Sequence, residues 1–260
     1  MEFAGKVVLI TGASSSLGKG LAQALAHQVD ALILVARRGE LLQTLEEEVT
    51  ASACRCLSIQ ADLLQPEQAE AMVQKAIAQF GRIDLAIHSV GGGRPLSLID
   101  ASAQHIVGVM NNNYATLVNL FVPLLAHLRQ QATPSVIAHI NSLAAIVEIP
   151  RGAHYSAAKV AAQRFLDTAR IELRTTPVKV LTLNPGFVQT ENKKEKMLMG
   201  ITLEKAVTLM LAAIAREKAS YSFPWPLVSL FSLIRLLPRR VRGRLLAALS
   251  DRESGKYTED

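Results

Sequence analysis

Cysteine is nearly missing from this chain of 260 residues, which has only Cys54 and Cys56. That excludes a disulfide-stapled scaffold, and the two thiols, at the approach to a strand, are expected to form neither a disulfide nor a metal site. The histidines, at positions 27, 88, 105, 127, 139 and 154, show no ligand spacing such as H-E-x-x-H, so no metal is expected. Aromatic residues make up 5% of the chain and are not interleaved with basic clusters. The formal charge is +6, but Arg235, Arg239, Arg240, Arg242 and Arg244 share one C-terminal stretch without an acid, leaving +1 for everything else. A near-neutral body with one basic end excludes a nucleic-acid partner as the expectation. Long apolar runs are missing too. The most apolar C-terminal segment, between Pro226 and Pro238, has eleven residues and is interrupted by Arg235, which is too short to span a bilayer. Met1–Gly5 lead straight into a strand-like run with no cleavage-site pattern, so a cytoplasmic protein is expected.

What is present is apolar bulk. Half of the residues are hydrophobic, enough for one large α/β domain. Short runs of continuous apolarity recur: "KVVLIT", "ALILV", "CLSIQ", "DLAIH", "SVIAHIN", "VKVLTL" and, more weakly, "SYSF". Strands buried on both faces read this way, so the sheet is expected to be parallel. Helical patterns fill the gaps, as in Pro66 to Phe80, which starts at a proline and stops before Gly81. Strand and helix in alternation predict a doubly wound, Rossmann-type, seven-stranded sheet with helices on both faces. Residues 1–222 are read as the dinucleotide-binding and catalytic part with a substrate lid near 190–205, and residues 223–260 as a helical extension and tail of the same domain.

In such a sheet the turn after the first strand is the expected phosphate site. Here it reads "TGASSSLG", with Gly12, Ser14, Ser15, Ser16, Leu17 and Gly18 opening a helix whose N-terminus favours an anion. The second strand ends in Ala36, Arg37 and Arg38 where an NAD site usually has an acid, and a guanidinium forks onto phosphate; NADP(H) is therefore expected. Further on, "AHYSAAKVAA" puts Tyr155 and Lys159 on one face of a helix. Alone, such a pair is most often an ordinary half-buried tyrosine and a snorkelling lysine.

Together these segments resemble the short-chain dehydrogenase/reductase family from about Gly5 to Pro226. The family turn T-G-x-x-x-G-x-G matches Thr11, Gly12 and Gly18, with Ser16 in place of the middle glycine. The resemblance assigns Asp62, and Leu63 beside it, to the adenine. It matches N-N-A-G to "HSVG", including Ser89 and Gly91, with His88 and Ser89 in place of strand-bracing amides. It places the helical Asn at Asn113, the Ser at Ser142 and the Y-x-x-x-K at Tyr155 and Lys159. "NPGFVQT" matches the P-G-x-V-x-T that lies along the nicotinamide, giving Pro185, Gly186, Val188 and Thr190. Ser142 precedes Tyr155 by thirteen positions, the usual family interval.

The implied reaction interconverts a carbonyl and an alcohol. Tyr155 is the general acid/base, Lys159 lowers its pKa and bonds the cofactor ribose, Ser142 steadies the substrate oxygen, and Asn113 holds a water linking Lys159 to solvent. Met197, Leu198 and Met199 either face a hydrophobic substrate, which is the expectation, or form the core of the lid. A homodimer or homotetramer through the helices bearing Asn113 and Tyr155 is also implied. Ser16 and "HSVG" keep a second reading open, a catalytically weak dinucleotide-binding sensor or scaffold. The C-terminal segment, apolar and then basic, fits either peripheral contact with anionic membrane or a cover over the substrate pocket or a partner subunit.

Overall fold

The computed structural model describes residues 1–189 and 199–254. Strands β1 (Val7–Thr11), β2 (Ala31–Ala36), β3 (Arg55–Gln60), β4 (Leu85–His88), β5 (Ser135–Ile140) and β6 (Val178–Pro185) join a later strand, β9 (Ser220–Phe223), in one sheet. Its order is β3-β2-β1-β4-β5-β6-β9, and all neighbours are parallel. The short β7 (Val188–Gln189) and β8 (Ile201–Thr202) pair separately. All seven apolar runs become strands of the main sheet, and the reason shows in their side chains. Val8, Ile10, Leu32 and Leu34 enter one core while Val7, Leu9, Ile33 and Val35 enter the other, so residues of both parities have to be apolar.

Helices α1 (Ser16–Leu25), α2 (Gly39–Thr50) and α7 (Leu203–Ala215) cover the first face. On the second lie α3 (Pro66–Phe80), α5 (Thr116–Leu128) and α6 (Ala153–Glu172). Helix α4 (Ala103–Met110) runs into α5 through a π-helical turn, Asn111–Ala115. The sheet reverses between β1 and β4, which opens a crevice beyond their carboxyl ends, where Thr11 and His88 stand in register. Cys54 and Cys56 are free and pack against the same core layer.

The C-terminal extension folds back onto this frame. Helix α8 (Trp225–Leu236) turns Leu227 and Ile234 inward, at 3% and 4% exposure. From α9 (Arg239–Ser254), Arg242 reaches Glu148 at 2.7 Å. One side of the extension is thus tied to the loop between β5 and α6.

His88 on β4 stands opposite His139 on β5, and their Nδ1 atoms lie 3.0 Å apart with both rings fully buried. Burial, reinforced by the Lys159 charge, pushes His88 down to about 3 and His139 well below its ordinary value. Both rings are therefore neutral, one donating and one accepting. This pair bonds the central strands where the family pattern has an amide. Because the rings protonate in the unfolded chain near 6.5 but resist protonation when folded, their contribution is complete above 6.5 and is lost as pH falls toward about 3. Stability in urea should therefore fall between pH 6.5 and pH 5, and the double variant His88→Leu/His139→Leu should flatten that slope; an unchanged slope would show that other groups dominate acid destabilisation.

Candidate active site

The crevice begins at the turn after β1. Gly12 adopts φ +69°, and a Cβ there would come within 2.8 Å of the Ser89 carbonyl, so the turn can press against the β4 loop only as glycine. Ser15 caps α1: its hydroxyl accepts from the Gly18 N–H at 3.2 Å and donates to the Gly12 carbonyl at 2.7 Å. Ser16 is the first helical residue, followed by Leu17 and Gly18. The left-handed position falls at Gly12, so Ser16 needs no glycine-like freedom.

A cavity of about 550 Å³ extends from this turn across the ends of the strands. Gly12, Ser14, Ser15, Arg37, Arg38, Asp62, Leu63, Ser89 and Gly91 line it, together with Asn112 and Thr116, which the sequence reading missed. Nothing in their own sequence marks Asn112 and Thr116, which reach the cavity from the π-helical turn and the start of α5. Arg38 is already placed over the turn, donating to the Ser14 carbonyl at 2.7 Å and to its hydroxyl at 3.1 Å. Arg37 is exposed on the same rim. The Asp62 carboxylate accepts from the Leu64 N–H, and Asn119 donates to the Leu63 carbonyl at 2.8 Å, fixing that wall. An anion-favouring helix start, two guanidinium groups and an acid at the far wall fit a nicotinamide dinucleotide, and the size is that of a ligand pocket.

The polar residues of α6 lie beyond a glycine loop. Asn113 is fully buried; its Oδ1 accepts from the Gly92 N–H at 2.9 Å, and its Nδ2 donates to the Gly92 carbonyl at 2.8 Å and the Val109 carbonyl at 2.9 Å. Asn111 is exposed and Asn112 half-buried, so of the three only Asn113 points inward. A Cβ on Gly91 would meet Asn113 Oδ1 at 2.6 Å and Lys159 Nζ at 3.3 Å, and one on Gly93 would meet the Tyr155 side chain at 3.1 Å. The loop thus threads between the residues of the tetrad pattern. Gly92 and Gly93 were not singled out from sequence, although three consecutive glycines after β4 were the available signal.

Tyr155 and Lys159 share this side of α6, with Nζ 5.6 Å from the phenol ring centre. Lys159 is buried and donates to the Ile140 carbonyl at 3.1 Å. Burial lowers its pKa to about 7. Ser142, extended at the end of β5, accepts from the Ala144 N–H at 3.1 Å, which leaves its hydroxyl proton free to donate. The expectation that Lys159 draws the Tyr155 phenol down is not met by the chain alone: burial raises the phenol above its ordinary value, and the Ser142 hydroxyl acts in the opposite direction. Desolvation wins because the ammonium is itself desolvated and turned toward Ile140.

Pro185 ends β6, and Gly186 donates its N–H to the Phe223 carbonyl at 2.7 Å. A Cβ on Gly186 would strike Leu227 of α8 at 2.6 Å, which brings the C-terminal extension to the edge of the site. Val188 is half-buried in β7. Thr190, Met197 and Leu198 lie outside the described residues, as does most of the expected lid, while Met199 is described and exposed.

Residues 6–199 match the short chain dehydrogenase family. An uncharacterized oxidoreductase of Myxococcus xanthus (strain DK1622) is 28% identical over 240 residues, spanning 91% of this chain and 94% of that protein. The 11-beta-hydroxysteroid dehydrogenase-like 2 of Arabidopsis thaliana is 32% identical over 196 residues, 72% of this chain and 60% of that protein. Among solved structures, a short chain dehydrogenase from Burkholderia cenocepacia J2315 in complex with NADP superposes with TM-score 0.81 at 25% identity, covering 95% of this chain and 99% of that one. A short chain dehydrogenase/reductase from Burkholderia phymatum in complex with NAD gives TM-score 0.80 at 20% identity, covering 89% and 93%. The glycine turn at a sheet reversal, the match over most of the length and the shared fold make this chain a member of the short-chain dehydrogenase/reductase family of oxidoreductases.

Proposed function

We propose that the protein is an NADP(H)-dependent oxidoreductase interconverting a carbonyl and an alcohol on a hydrophobic small molecule, with Tyr155 as general acid/base. The observation that carries this reading is the packing of Tyr155 and Lys159 against the glycine loop whose Gly91 also lines the cavity, with the Ser142 hydroxyl bonded to the Tyr155 phenol. The glycine turn, Arg37, Arg38, Asp62 and the Pro185–Val188 segment would hold the dinucleotide, which supplies or accepts a hydride when bound. Thr190 belongs to the same proposed set. The arginines at the second strand favour the 2′-phosphate form. NADP occupies the Burkholderia cenocepacia structure, whereas the Burkholderia phymatum structure holds NAD, so the arginines and not the fold carry this preference.

For reduction, a phenol held above its ordinary pKa is fully protonated at neutral pH and can release its proton to a substrate oxygen as negative charge develops there. Ser142 donates a hydrogen bond to the same oxygen. Lys159, near neutrality, can give up and regain a proton at the working pH and so replenish Tyr155; it would also bond the ribose hydroxyls. The Asn113 side chain is committed to Gly92 and Val109, so its part in this reading is to position the loop. For oxidation the proton steps reverse. The hydroxysteroid-dehydrogenase-like relatives support a hydrophobic substrate. The same reading includes a homodimer or homotetramer through α5 and α6, whose Val122 and Val160 are 59% and 49% exposed, and a cytoplasmic location. Among the described residues, no helix is long and apolar enough to cross a membrane.

Against the sensor or scaffold alternative stand the helical backbone of Ser16 and the bond of His88 to His139 across β4 and β5. Replacing Tyr155 by Phe should leave NADPH affinity nearly unchanged and lower kcat about 100- to 10,000-fold on a hydrophobic ketone; turnover as fast as that of the parent protein would remove Tyr155 from its role. Arg37→Ala should cut the ratio of NADPH to NADH affinity roughly ten- to hundredfold, the value of a charge-assisted bond. Arg38→Ala should in addition weaken both cofactors in fluorescence titration, because that side chain also holds Ser14; equal ratios in parent and both variants would refute the 2′-phosphate assignment.

A further inference from the structure

Helix α8 is apolar on two opposite sides, and only one of them is used by the fold. Leu227 and Ile234 face the interior. Around the other side, Trp225, Leu233 and Leu236 are 77%, 64% and 81% exposed, and their spacing of eight and three residues places them on one stripe. Trp225 is the single tryptophan of the chain. A large indole and two leucines in one exposed row are unlike the scattered apolar residues of an ordinary surface, and mark a place that meets an apolar phase. Helix α9 continues the surface with Val241 and Leu245, 50% and 38% exposed, among exposed Arg239, Arg240 and Arg244.

We propose that this face of α8 and the first turns of α9 dock on an anionic lipid bilayer, with Trp225, Leu233 and Leu236 entering the headgroup boundary and the arginines on lipid phosphates. The charge decides the occupant. From Phe223 through Leu249 the sequence contains no acidic residue, so the face offers nothing to pair with its own arginines. A second copy meeting it by two-fold symmetry would set like charge against like, which opposes association. An anionic membrane supplies both what the leucines and tryptophan need and what the arginines need. With twelve residues, α8 lies on the bilayer and does not cross it.

Another arginine of the cluster shows how the docked face connects to the site. Arg242 is turned inward to Glu148, with its side chain 15% exposed, and Glu148 lies on the segment that follows Ser142. On the inner side of α8, Leu227 sits against Gly186 and holds the helix on the wall of the cleft. Docking therefore brings that wall to the membrane. The proposal does not depend on which cofactor or substrate the cleft takes, and its test needs no turnover.

The full-length protein should be mixed with vesicles of phosphatidylcholine alone and of phosphatidylcholine with phosphatidylglycerol in equal parts. Trp225 emission should shift to the blue and be quenched by brominated acyl chains only with the anionic vesicles, and co-sedimentation should weaken as salt rises. Arg239→Gln/Arg240→Gln should reduce vesicle affinity roughly 25-fold, at about fivefold per arginine. Trp225→Ser/Leu236→Ser should abolish sedimentation with vesicles, while a parent-like melting curve for the charge variant separates lost binding from lost folding. The proposal is overturned if Trp225 emission does not move with anionic vesicles at low salt, if both vesicle types bind equally, or if sedimentation velocity shows a dimer that Leu236→Glu dissociates.

Discussion

The site is built on the grip of one buried carboxamide on one glycine. Asn113 accepts from the N–H and donates to the C=O of Gly92, satisfying both backbone groups of a residue in a loop that has no sheet or helix to do so. Held there, the loop can carry no side chains on either side, because Asn113, Lys159 and Tyr155 occupy the space a Cβ would need. Asn113 can make this grip because it lies in a π-helical turn, whose extra residue turns it inward between α4 and α5. A local irregularity of the helix, a strained loop and the polar face of α6 are thus one mechanical unit.

Dryness sets the electrostatics of that unit. Lys159, His88 and His139 are all buried, and burial is the leading cause of the shift in each. A cation placed near two imidazoles in a low-dielectric interior keeps them neutral, and neutral rings can bond to each other across β4 and β5 without a buried charge. Tyr155 responds in the opposite direction to Lys159 because its charged form is the deprotonated one. The free chain therefore holds a protonated phenol beside an amine poised near neutral pH, as the proposed reaction requires.

The departures from the family pattern are absorbed by neighbours. Ser16 replaces a glycine at a position that needs no left-handed backbone, because the chain has already turned at Gly12 and entered the helix. His88 replaces an amide and finds His139 directly across the ladder. Read singly, each substitution weakens the site; in the fold, each is matched by a partner 51 residues away or by the phase of a helix that the pattern alone does not give. The C-terminal extension shows the same point at larger scale, since its apolar composition serves the cleft wall on one side and remains exposed on the other.

Continuous apolar runs, read residue by residue, determined the seven parallel strands and their alternation with helices, because burial on both faces of a sheet leaves a mark on every position. Motif order likewise groups Gly12, Arg38, Ser142, Tyr155 and Lys159 in the proposed site, since each follows a strand end or lies on a fixed helix face. Only the tertiary structure decided that Asn113 grips Gly92, that His88 meets His139, that Arg242 turns inward to Glu148 and that burial outweighs Lys159 at the Tyr155 phenol. Those outcomes depend on distances between segments far apart in the chain and on how much water is excluded there, and neither quantity is written in the local sequence.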